Sequence, residues 1–108
     1  MVQPRSFEEF WPYYVDQHRH PTTRTLHMVG THLGIAALVL GIAVDRWWLV
    51  GVPLLSYSFA WYGHFHYEKN QPATFTYPIW SLRGDLRMLR LTWAGRMDAE
   101  VARLSGRA

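Results

Sequence analysis

Six histidines occur in a chain of 108 residues. They fall into two groups: His18, His20, His27 and His32, then His64 and His66. Imidazole is the side chain that transition metals use most often and the one that titrates near neutral pH. The chain has no cysteine, which excludes disulfide frameworks, zinc ribbons, iron–sulfur clusters and thiol catalysis. Three or more imidazoles meeting at one point, with no thiolate among them, would suit iron, zinc, copper or nickel rather than magnesium or calcium. His64 and Glu68 are four residues apart and share a helix face, whereas His66 points about 200° away. Glu68 can then ligate directly or hydrogen-bond the second nitrogen of a ligand histidine. Lys69 and Asn70 close that segment, and they or Arg24 could orient a substrate carboxylate. His18 and His27 lie on either side of Pro21, in different helices, so both can turn toward one point. His32 is rotated about 140° from His27, and His20 diverges from His18 by about 200°. His20, His32 and His66 are therefore expected to be hydrogen-bonded packing residues, and His18, His27 and His64 the metal ligands.

The elements that must bring those three together are legible as charge gaps. No residue is formally charged from Met28 to Val44, nor from Trp47 to Tyr67, and only Asp45 and Arg46 separate the two stretches. As helices, 17 residues reach about 26 Å and 21 residues about 32 Å, against a hydrocarbon core of ~30 Å. Two apolar runs joined by a short polar turn predict an αα-hairpin, with Trp47 and Trp48 as an interfacial anchor and a kink at Pro53. A hairpin returns the end of its second helix to the start of its first. His27 and His64, about 37 residues apart in sequence, would then meet at one membrane face.

The expected architecture is all-α: a single domain, 1–108, built on a two-helix transmembrane hairpin. An N-terminal helix over 6–20 opens with the capping box Ser6-x-x-Glu9 and is kinked or restarted at Pro12. Thr22 or Thr23 caps the hairpin segment 22–67, residues 70–78 form a loop, and one basic amphipathic helix covers 79–104. In that last helix Leu82, Leu86, Leu89 and Trp93 form a stripe beside Arg83, Arg87 and Arg90. Such a helix either lies in the plane of an anionic membrane or packs its stripe on the bundle. Lys and Arg number three before the first run, one in the turn and seven after the second, which predicts an integral membrane protein with both termini cytoplasmic. A soluble bundle with the hairpin as its core is the alternative, and a mean hydropathy of -0.13 accommodates it. Nucleic acid is not an expected partner, since a net charge of +3 carries no concentrated basic face. Phosphate-binding glycine loops, nucleophile elbows and His-Glu-x-x-His helices are absent from the sequence.

Tyr14-x-x-x-His18-x-x-Pro21-x-x-Arg24-x-x-His27-x-x-Gly30, an apolar hairpin, and Gly63-His64-x-x-x-Glu68-Lys69-Asn70-x-Pro72-Ala73 together resemble the membrane 2-hydroxy fatty acid dioxygenase family. The resemblance covers roughly residues 7–90. It implies an Fe(II)-dependent membrane enzyme that oxidatively removes one carbon from a 2-hydroxy fatty acid (α-oxidation). It also implies iron on His18, His27 and His64, with Glu68 and Asn70 in the second motif. This chain is shorter than the family's characterised enzyme, with one evident hydrophobic hairpin between the motifs. The expected function is accordingly a non-haem iron dioxygenase with a lipid substrate, zinc being the other metal the donors accept. The alternatives are a non-catalytic membrane scaffold and a zinc- or haem-binding helical protein. Haem is disfavoured because the histidines gather at one end rather than mid-bundle.

Overall fold

A computed structural model describes residues 4–105. Among these the chain is all-helical, with five α-helices and no strand: α1 Phe7–Asp16, α2 Pro21–Ala43, α3 Gly51–Gly63, α4 Pro78–Trp93 and α5 Met97–Ser105. Short 3-10 turns at Arg46–Val50 and Ala73–Phe75 and a π segment at His64–Glu68 link them. The chain divides into two compact units, residues 1–19 with 71–108, and residues 20–70.

The first unit is held by aromatics. Ser6 caps α1 by accepting from the Glu9 N–H at 3.2 Å, and Glu9 in turn accepts from the Arg5 N–H rather than from Ser6. α1 runs through Pro12 instead of restarting there. The proline withholds one backbone donor, but burying Phe7, Phe10, Trp11, Tyr14 and Val15 on one face outweighs that loss, at ~1.5–3 kcal/mol for each large side chain. α1 ends at Asp16, short of the expected 20, because Gln17 already caps its last carbonyls. α4 and α5 supply Met88 and Met97 to complete the buried set.

The helix expected over 79–104 is two helices. Gly95 adopts φ +71°, its N–H bonds to the Thr92 carbonyl at 3.0 Å, and the Arg96 N–H bonds to Leu91 at 2.8 Å. This paired closure satisfies the last carbonyls of α4, and glycine reaches its left-handed backbone without steric cost. The stripe named in the sequence also turns out to be divided. Leu89 is buried, whereas Leu82, Leu86 and Trp93 face outward, and the inward face of α4 is Ser81, Gly84 and Met88.

The second unit is a helical hairpin. α2 begins at Pro21, with His20 rather than a threonine as its cap: His20 Nδ1 accepts from the Thr22 N–H at 3.1 Å. Proline suits the first helical position, where no N–H is required and its fixed φ is already helical. Thr22 and Thr23 therefore fall inside the first turn. α2 packs on α3 through Gly30, Gly34 and Ala37 and on the preceding 3-10 turn through Gly41, all four buried. A Cβ at Gly30 would stand 2.7 Å from the Ser56 carbonyl oxygen, and one at Gly34 would collide with Ser56 Oγ. At one end of the pair Gly63 lies against Thr23, and at the other Gly41 lies against Leu49, so the two helices run antiparallel.

The return leg is shorter than its apolar run suggests. α3 has 13 residues, about 20 Å of α-helix, because the run is 3-10 before Gly51 and π after Gly63. Pro53 sits in the first turn of α3, where its missing N–H interrupts no helical hydrogen bond. Among the described residues only α2, at 23 residues and a mean hydropathy of 1.8, is long and apolar enough to cross a membrane.

Candidate metal centre

His18, His27 and His64 are all buried. His18 follows the end of α1, where Tyr14 prepares it in two ways. The Tyr14 ring stacks on the imidazole at 4.2 Å, and the Tyr14 carbonyl accepts the His18 Nδ1–H at 2.7 Å. A carbonyl can only accept, so a neutral His18 ring keeps its lone pair on Nε2. Tyr14 is itself fixed. Its hydroxyl donates to Asp85 Oδ1 at 2.6 Å, and Gly84 leaves the space its ring fills, since a Cβ there would stand 2.8 Å away. Burial, then the Asp85 carboxylate, push the Tyr14 hydroxyl well above its usual range, so it stays a neutral donor.

His27 projects from α2 and His64 from the start of the π segment, and their rings meet edge to face at 6.2 Å. The π segment matters here. Its extra residue per turn brings the Lys69 N–H back to the His64 carbonyl, and the left-handed φ of 61° at Lys69 then turns the Asn70 N–H onto the same carbonyl at 3.0 Å. That bend lays Asn70 Oδ1 on His64 Nδ1 at 2.8 Å. Asn70 thereby fixes the same tautomer that the Tyr14 carbonyl fixes in His18, with Nε2 carrying the lone pair.

Each of the three histidines offers one ring nitrogen, and these atoms lie within 4.8 Å of one another. An ion with ~2.1 Å bonds to imidazole holds neighbouring ligands roughly 3–3.4 Å apart, so binding would draw together any pair standing at the 4.8 Å limit of this cluster. The donor chemistry fits a borderline transition metal: neutral nitrogens, two of them with a hydrogen bond on the far side of the ring. Three buried histidines able to hold a metal are thus present.

The other expected residues take different places. The Glu68 carboxylate reaches the backbone N–H of His20 rather than His64, pinning the start of α2 to the end of the π segment. The four-residue spacing suggested a shared α-helical face, which π winding removes. Arg24 is buried on α2 one turn before His27, and Lys69 is exposed. His20 caps α2 and lies 5.1 Å from the Tyr67 ring; His32 Nδ1 bonds to the Met28 carbonyl at 2.7 Å; His66 is exposed and stacks on Tyr62 at 5.1 Å. None of the three joins the cluster. Sequence reasoning gave Tyr14 no role and missed Asp85. The four-residue step from Tyr14 to His18 was a usable signal, but 71 residues separate Tyr14 from Asp85 and no spacing rule connects them.

No curated protein and no solved structure matches the chain. A family model does, over residues 4–97, and its description reads 2-hydroxy-palmitic acid dioxygenase Mpo1-like. With that match covering most of its length and the three histidines gathered as described, the chain belongs to the Mpo1-like family.

Proposed function

We propose that this protein is a membrane-embedded, Fe(II)-dependent dioxygenase that shortens 2-hydroxy fatty acids by one carbon, with iron on His18, His27 and His64. The observation that carries the reading is the meeting of three buried imidazole nitrogens within 4.8 Å, in a chain whose family is named for that substrate class. Iron held by His18, His27 and His64 would supply redox chemistry there. The rest falls to the chain. The Tyr14 carbonyl and Asn70 hold His18 and His64 by their Nδ1–H groups, which keeps both Nε2 lone pairs directed and raises their basicity. Asn70 therefore serves the ligand rather than the substrate. Lys69, exposed at the bend, and the buried Arg24 are the cations this reading assigns to a fatty-acid carboxylate. Glu68 keeps the start of α2 against the π segment, a positioning role in place of a proton shuttle.

Membrane insertion is supported by the way α2 packs. It turns glycines and an alanine toward α3 and exposes Leu33, Ile35, Leu38, Val39 and Ile42, which in water would be a large unpartnered apolar surface. With α3 running back antiparallel, the excess of Lys and Arg outside the hairpin favours both termini on the cytoplasmic side.

The test is iron content of anaerobically purified protein, together with conversion of 2-hydroxypalmitate to a product one carbon shorter. Iron-bound wild type with turnover, and loss of both in His64→Ala, is expected. Zinc in place of iron, or His64→Ala turning over like wild type, overturns the reading. Asn70→Ala should weaken metal binding ~10–100-fold while Asn70→Asp, which keeps an acceptor oxygen, should restore most of it.

A further inference from the structure

α4 buries one of its faces and leaves a second, apolar one largely exposed. Ser81, Gly84 and Met88 point into the first unit. On the opposite side Ile79 is 76% exposed, Leu82 53%, Leu86 56% and Trp93 64%. At 100° per residue these four fall in an arc about 60° wide, and Arg83 and Arg90 lie along one edge of it. No Asp or Glu shares that arc. The nearby carboxylate of Glu8 is taken by Arg87 at 2.8 Å, and Arg90 makes no ion pair among the described residues.

A second copy of the chain is a poor occupant. Two α4 helices crossing about a two-fold axis near Leu86 would set Arg83 of each against Arg90 of the other, bringing like charges together as the contact forms. A surface that is apolar below and anionic above has no such conflict: leucines and Trp93 enter the acyl boundary while the guanidiniums reach phosphate oxygens.

We infer that α4 is an in-plane anchor for an anionic lipid surface, with Ile79, Leu82, Leu86 and Trp93 inserted below the headgroups and Arg83 and Arg90 bound to their phosphates. This goes beyond the metal-centre reading and does not depend on it. Its consequence is a lipid-composition dependence that an α2 anchor alone would not show.

The chain has no cysteine, so a single Leu86→Cys substitution carries a spin label without further changes. The full-length labelled protein is reconstituted in vesicles of phosphatidylcholine alone, or of phosphatidylcholine with phosphatidylglycerol. Collision rates with oxygen and with a water-soluble nickel chelate are then compared. At Leu86 oxygen collisions should exceed those of the chelate several-fold, and anionic lipid should raise that ratio about twofold. A label at Thr92, exposed but off the stripe, should remain open to the chelate. Arg83→Glu with Arg90→Glu should abolish the effect of anionic lipid. Chelate access at Leu86 in both vesicles overturns the inference, and so does exclusion of both reagents, which would mean a protein partner. Metal content measured on the same vesicles stands or falls separately.

Discussion

In the unit formed by residues 1–19 and 71–108, the wholly buried side chains are large: Phe10, Tyr14 and Met88 have no exposure. In residues 20–70 the order is reversed. Gly30, Gly34, Ala37 and Gly41 face inward, and Val39, Ile42, Trp47 and Leu54 are more than half exposed. The first pattern is what water enforces, since large apolar surface gains most by leaving it. The second is what lipid permits, where close backbone approach through small residues holds helices together and large side chains face acyl chains. One short chain thus contains two opposite packing patterns.

The comparison can be broken first at Phe10. Phe10→Ala should cost ~3–5 kcal/mol in the aromatic unit, read as a lower midpoint in chemical unfolding followed by near-ultraviolet circular dichroism. Ile35→Asp probes the opposite packing. If the outward face of α2 meets lipid, a carboxylate there should oppose insertion by ~3 kcal/mol and shift the protein from the membrane to the soluble fraction. An unchanged membrane fraction would contradict the lipid-facing assignment. Gly30→Ala should separate α2 from α3, because the new Cβ meets the Ser56 carbonyl at 2.7 Å, with an expected loss of ~1–3 kcal/mol. Alanine at an outward α2 position, Val39→Ala, should cost much less.

The smallest effect is electrostatic and confined to the aromatic unit. Glu100 is held from its ordinary 4.5 down to about 2, first by its hydrogen bond with Arg103 and then, against partial burial, by the Trp11 indole N–H at 2.7 Å. A lowered folded-state value means the contribution is complete above about 4.5 and disappears as pH falls toward about 2. Arg103 is largely exposed, so solvent screening keeps that contribution below ~1 kcal/mol. Melting temperature measured across this interval should fall less steeply in Glu100→Gln than in wild type.

Several of these features were legible in the sequence for identifiable reasons. Ser6 and Glu9 announced α1, the uncharged run announced α2, and a hairpin connection was enough to bring His64 back toward His27. Local winding was not legible. The π turn that sends Glu68 to His20 and Asn70 to His64 depends on Lys69 entering a left-handed conformation, for which a lysine gives no warning. Gly95 did carry a signal, since glycine after a helical run marks a stop, but the apolar periodicity continuing past it obscured the break. The direction of the α4 stripe was open for a further reason: periodicity reveals an apolar face without revealing what covers it, and here Gly84 and Met88 supplied a second one.

The convergence of His18, His27 and His64 on one ion is tested most directly by X-ray absorption at the metal edge of the purified protein. Three imidazole nitrogens at ~2.1 Å are predicted in wild type, falling to two in His18→Ala. A wild-type spectrum lacking imidazole scattering, or one that His18→Ala leaves unaltered, would contradict it.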